Sequence, residues 1–108
     1  MVPDRYCIYW ANLDPTVGSE LRKVRPVVIV SPVAMNHHLE TIVVCPLTST
    51  LHPRWASRVQ ITCDGQPAEI AVDQIRTISK TRLAKKLDQL DDPAIVELQS
   101  VIARLYAN

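Results

Sequence analysis

Val27-Val28-Ile29-Val30 is an unbroken apolar run, bounded by Pro26 before it and by Pro32 just after it. Such a run is too short for a buried helix, and β-branched residues between prolines favour an extended chain. The same grammar recurs along the sequence. Tyr6 to Leu13 is rich in aromatic and β-branched residues and stops at Asp14-Pro15. Thr41 to Leu47 contains Ile42-Val43-Val44, Arg58 to Thr62 alternates and ends at Asp64-Gly65, and Glu69 to Ile78 alternates more loosely. With Arg25 to Ser31, these segments predict five strands separated by turn residues.

One amphipathic helix follows them. Asp91-Asp92-Pro93 supplies an N-cap and a proline at the helix start, where its missing N–H costs nothing. Behind it Ile95, Leu98, Ile102 and Leu105 recur at helical spacing, with Val101 beside them. Thr81 to Leu87 and Pro32 to Leu39 are expected to add short helical turns. Gly18 and Gly65 are the only glycines, so other tight turns must use Asn, Asp or Pro. Many short strands and one helix seeking a core predict a mainly β fold: a small, curled antiparallel sheet closed by a C-terminal helix.

The 108 residues, 47% apolar, suit a single domain over residues 1–108. A domain of this size still exposes about 35–40% of its unfolded surface, so a dimer or partner contact would help it. A net charge of +1 excludes a protein saturated with positive charge. Any affinity for a polyanion must come from local clustering. Cys7, Cys45 and Cys63 are odd in number, lack CxxC spacing and lie in apolar runs, so they are expected to be reduced core thiols. No signal-peptide pattern and no spanning apolar run is present, which predicts a cytoplasmic protein without a membrane segment.

Three constellations carry possible chemistry. The loop from Asp14 to Pro26 gathers Glu20, Arg22, Lys23 and Arg25, and Arg25 is held extended by the proline after it. Its guanidinium therefore projects from a rigid edge, where functional groups work best. Thr48, Ser49 and Thr50 follow a strand and offer three hydroxyls suited to a phosphate or base edge. Asp73-Gln74-Ile75-Arg76-Thr77 leads into Lys80, Arg82, Lys85 and Lys86, five basic residues from Arg76 onward with no acidic one between. That run is a solvated face or an electrostatic track for a polyanion. Adjacent His37 and His38 diverge on any regular element, so no metal is expected. Trp10 reads as core, whereas Trp55, in a polar loop, is a candidate for stacking on unpaired bases.

In this order the constellations resemble the MazF/PemK/Kid family of toxin ribonucleases. The likeness is carried by Asp14-Pro15-Thr16-Val17-Gly18-Ser19-Glu20, Arg25-Pro26-Val27-Val28-Ile29-Val30-Ser31, Pro46-Leu47-Thr48-Ser49, and Asp73-Gln74-Ile75-Arg76-Thr77 with Arg82-Leu83. It implies an SH3-like, CcdB-type β-barrel with a C-terminal helix, working as a homodimer. It also implies metal-independent, cofactor-free cleavage of single-stranded RNA at a short motif, with the 2′-hydroxyl as nucleophile. Residue by residue, Arg25 and Thr48 match the family's catalytic arginine and threonine. Ser19, Glu20, Ser49, Asp73, Arg76 and Arg82 fall where RNA is held.

The same resemblance implies a cognate antitoxin whose flexible acidic C-terminal segment occludes the RNA groove, drawn by basic groups such as Arg22, Lys23 and Lys85. The sequence departs from the family at Leu21, often polar, and at Lys23, usually glycine. It also has neither the histidine some members carry at the Ser19 position nor their arginine at the Ala71 position, so the cleavage motif should differ. Two rivals share the barrel: a CcdB-like gyrase-poisoning toxin, disfavoured by the Leu105-Tyr106-Ala107-Asn108 ending, and an inactive RNA- or protein-binding module.

Overall fold

The computed structural model describes residues 2–15, 17–21 and 23–107. Thr16 and Arg22, named above, lie outside them. The strands are β1 (Cys7–Asn12), β2 (Val24–Ile29), β3 (Thr41–Thr48), β4 (Arg58–Cys63), β5 (Gln66–Ala71), β6 (Arg76–Ser79) and β7 (Leu83–Gln89). The helices are α1 (Val33–His38) and α2 (Asp92–Tyr106).

The pairings are all antiparallel, in the order β4-β5-β3-β2-β1-β7, with β6 also on β3. β3 changes partner along its length. Thr41 to Val44 pair with β6, while Leu47 and Thr48 pair with β5. This switch curls the sheet into a half-barrel, the expected small antiparallel architecture with a C-terminal helix. It also corrects the single strand expected from Glu69 to Ile78. A 3-10 turn over Val72–Gln74 divides that segment, because its two halves serve different stretches of β3.

Both faces of the sheet are buried. Ile8, Val28, Cys45, Leu47, Val59 and Ile70 pack with Leu98 and Val101 of α2. Tyr9, Leu13, Val27, Ile29, Ile42, Val44 and Ile78 form a second cluster on the opposite side. That explains why Val27 to Val30 has no polar alternation: successive side chains enter different cores. Removing the Leu98 side chain to alanine would cost about 2–5 kcal/mol.

α2 is capped as expected, with the Asp91 carboxylate accepting from the Ala94 amide at 2.9 Å and Pro93 in the first turn. Ile95 and Ile102 pack against the core, but Leu105 does not and is 40% exposed. The end of α2 is instead tied down by Tyr106, whose hydroxyl donates to the Val72 carbonyl at 2.8 Å.

The hairpin between β4 and β5 turns on Asp64 and Gly65, both at positive φ (51° and 78°). This is the pattern of a type I′ turn, which matches strand twist and favours Asp-Gly. α1 forms where a short helical turn was expected. The turn expected over Thr81 to Leu87 shrinks to a 3-10 turn at Lys80–Arg82 and becomes strand β7. The composition of Ala84-Lys85-Lys86 favours helix locally, but the edge of β1 offers a hydrogen-bonded ladder that overrides it. Exposed Lys85 and Lys86 then protect that sheet edge from further pairing.

All three cysteines are buried and unpaired, and burial, helped by the charge of Asp73, pushes the Cys45 thiol up to about 12. Trp10 is half-buried. Among the described residues no helix is long and apolar enough to cross a membrane.

Candidate active site

β2 and β3 pair with Val27 opposite Pro46. Arg25 lies two residues before Val27 on β2 and Thr48 two residues after Pro46 on β3, so by strand alternation both project from the same face at the end of this ladder. On the other edge of β3, Glu69 of β5 is opposite Thr48, and Gln60 of β4 is opposite Glu69. Directly opposed residues project from one face, with Cβ atoms about 4.5–5.5 Å apart. Arg25, Thr48, Glu69 and Gln60 therefore form one polar row across four adjacent strands, on the face turned away from α2.

At one end of this row Pro26 has no N–H to give the ladder, and Arg25 Nη1 donates to the Leu47 carbonyl at 3.1 Å. The guanidinium is thus anchored beside Thr48, and partial burial lowers Arg25 from its ordinary value. Thr48 is buried, and its Oγ1 accepts from the Thr50 amide at 3.1 Å. A hydroxyl that accepts here still has its own proton to donate. Ser49 is exposed beside it.

Glu69 is completely buried. Its Oε1 accepts from the His52 amide at 2.6 Å and from Gln60 Nε2 at 2.8 Å, and its Oε2 from Arg58 Nη1 at 2.5 Å. Arg58 Nε also donates to Asp73 Oδ1 at 2.9 Å. Burial alone would raise both carboxyls. Hydrogen bonds from Gln60, His52 and Arg58 outweigh it at Glu69, as those from Arg58 and Ser57 do at Asp73, so both lie below the usual range. Burial works against the Arg58 charge, but Asp73 and Glu69 prevail and raise it. The guanidinium also lies 4.6 Å over the Trp55 ring, on which His52 stacks at 3.8 Å and 8°. Trp55 thus already has protein partners for its ring.

A second group surrounds a cleft of about 190 Å³ lined by Glu20, Asp73, Gln74, Ile75 and Arg76. Glu20 reaches it on the exposed loop between β1 and β2, where its Oε1 accepts from the Val17 amide at 2.7 Å. That loop is tied to the body by side chains. Gln74 Oε1 accepts from the Leu21 amide at 2.7 Å, Arg76 donates to the Leu13 carbonyl at 3.4 Å, and Arg82 Nη1 donates to the carbonyls of Asn12 and Asp14 at 3.1 and 2.6 Å. Arg76 and Arg82 are therefore engaged with the loop backbone. Ser19 is exposed on the loop.

The structure thus joins Arg25 with Thr48, and Glu20 with Asp73 and Arg76. Arg58, Glu69, Gln60 and His52 were missed in the sequence. One signal was available: a carboxylate in the apolar stretch Ala68-Glu69-Ile70-Ala71 must be paired if that strand is buried. Lys23 has φ 69°, a conformation suited to glycine. Among the described residues no group of three or more His, Cys, Asp or Glu side chains is placed to hold a metal ion.

The chain is 35% identical over 97 residues to Endoribonuclease EndoA of Bacillus subtilis, which covers 85% of this chain and 84% of that protein. It is 32% identical over 100 residues to Endoribonuclease MazF of Staphylococcus saprophyticus, covering 88% and 83%. The crystal structure of MazF from Deinococcus radiodurans superposes with a TM-score of 0.87 at 24% identity, over 100% of this chain and 99% of that one. The profile of the family described as PemK-like, MazF-like toxin of type II toxin-antitoxin system matches residues 4–106, and the chain belongs to that family.

Proposed function

We propose that this toxin is an endoribonuclease that cuts single-stranded RNA in the cytoplasm by attack of a 2′-hydroxyl on the adjacent phosphorus, leaving a 2′,3′-cyclic phosphate and a 5′-hydroxyl. The observation carrying this reading is the Arg25 guanidinium bonded to the carbonyl of Leu47, the residue before Thr48, at the end of the ladder between β2 and β3. RNA brings its own nucleophile, so the protein must stabilise charge and move two protons. Arg25 stabilises the developing phosphorane charge, and Thr48 donates its remaining proton to a phosphoryl oxygen. A guanidinium is a poor base, so Arg25 serves better as the donor to the leaving 5′-oxygen, a role helped by the burial that lowers its hold on the proton.

Glu69 and Asp73 are kept charged by Arg58 and are correspondingly weak bases. Glu20, exposed in the loop, is the carboxylate assigned to take the 2′-hydroxyl proton. The cleft of Glu20, Asp73 and Arg76, with Ser19 next to Glu20 in the chain, holds the flanking bases together with Ser49 next to Thr48, and Arg82 fixes the loop that carries Glu20. Lys23, Lys85 and Lys86 attract an acidic segment of a cognate antitoxin, whose folding over the groove of a toxin homodimer would block RNA.

The test is a long single-stranded RNA incubated with purified protein in EDTA. Discrete fragments with 5′-hydroxyl ends are expected. Shifted but intact RNA would instead mean a binding module, and untouched RNA would turn attention to a gyrase-type target.

A further inference from the structure

Glu69 is chemically out of place in a strand between Ala68, Ile70 and Ala71. An ion pair this deep gives a sheet no advantage over apolar residues of the same size, because two charges have been taken out of water to make it. Its bonds point to another task. One oxygen receives the amide of His52, in the middle of the loop that follows Thr48. The other receives Arg58, which continues to Asp73 at the cleft and covers the Trp55 ring of the same loop.

The Thr50 amide, two residues before His52, is the donor to Thr48 Oγ1. The path of this loop therefore decides in which direction the Thr48 hydroxyl can donate. The Arg58 side chain is only 6% exposed and bonded to both carboxylates, so it is not displayed to a phosphate.

We propose that Glu69, paired with Arg58, is a positioning residue that anchors the loop after β3 through the His52 amide and so aims the Thr48 hydroxyl at the scissile phosphate. This rests on the ribonuclease reading above and adds to it a buried support for Thr48, one of the groups that act on the phosphate.

The experiment compares Glu69→Gln and the double variant Arg58→Met with Glu69→Met against the unaltered chain. Glu69→Gln should lower kcat on the order of 10–10²-fold, the scale of a small misplacement, while KM changes by less than about twofold. The double variant removes both charges and should melt no lower than the unaltered chain, yet keep the loss in kcat. In a Trp10→Phe background, Trp55 emission should move to longer wavelength in Glu69→Gln. Exchange of the Thr50 and His52 amides should become faster.

A stable double variant that cuts RNA at full rate overturns the proposal, as do unchanged Trp55 emission and unchanged amide exchange. An unaltered chain that cuts no RNA would refute the ribonuclease reading. The emission and exchange measurements would still decide whether Glu69 anchors the loop.

Discussion

The polar row and the neighbouring cleft meet at Asp73, but they are built on different principles. The row from Arg25 to Gln60 lies on four strands held together by ladders, and its own Glu69 is paired with the buried Arg58 side chain. The cleft has one wall on the exposed loop between β1 and β2, held by a few side-chain bonds to backbone from Gln74, Arg76 and Arg82. Groups that must meet a developing charge within a fraction of an ångström belong on the first kind of support. A surface that must admit RNA, and later an antitoxin segment, belongs on the second. The contrast separates rate from affinity, and it can be tested on that basis.

The largest effect is expected from Arg25→Ala, which should lower the cleavage rate by about 10²–10⁴-fold while binding of an uncleavable 2′-deoxy analogue stays nearly unchanged. A loss confined to binding would erase the distinction between the two regions. Thr48→Val, which keeps shape but removes the donor, should cost on the order of 10²-fold in kcat.

Arg82→Ala should act differently. Releasing the Asn12 and Asp14 carbonyls frees the loop that carries both the cleft wall and Glu20, so KM should rise by about tenfold, corresponding to roughly 1.4 kcal/mol, and kcat should fall with it. A fall in kcat alone would place Arg82 with the row.

Acid titration probes the support of the row. Glu69 and Asp73 have folded pKa values below their unfolded ones, so on acidification the unfolded chain takes up protons first. Their stabilisation is complete above the ordinary carboxylate range of about 4 and is lost as pH falls through the lower folded values. Glu69→Gln should therefore flatten the acid limb of a plot of melting temperature against pH. The smallest effect is expected at Lys23, where glycine would relieve about 1 kcal/mol of left-handed strain, partly offset by the freer unfolded chain. A slightly higher melting temperature for Lys23→Gly would show that the loop tolerates strain the row does not carry.

Sequence alone determined much of this protein. Periodicity and punctuation identify β1 to β4, the Asp64-Gly65 hairpin and α2 with its Asp91 cap, because each depends on residues a few positions apart. Arg25 and Thr48 are singled out by the resemblance of the ordered motifs to the toxin family. Tertiary structure decided the rest. It split the segment from Glu69 to Ile78 between two stretches of β3, and it drew Leu83 to Gln89 onto the edge of β1 against a local preference for helix. It also brought Arg58 to Glu69 and Asp73, and Arg82 to the loop at Asp14, across separations in the chain that no local pattern records. Hydrogen bonding and burial act through space, so the partner of a buried charge is known only once the sheet has curled.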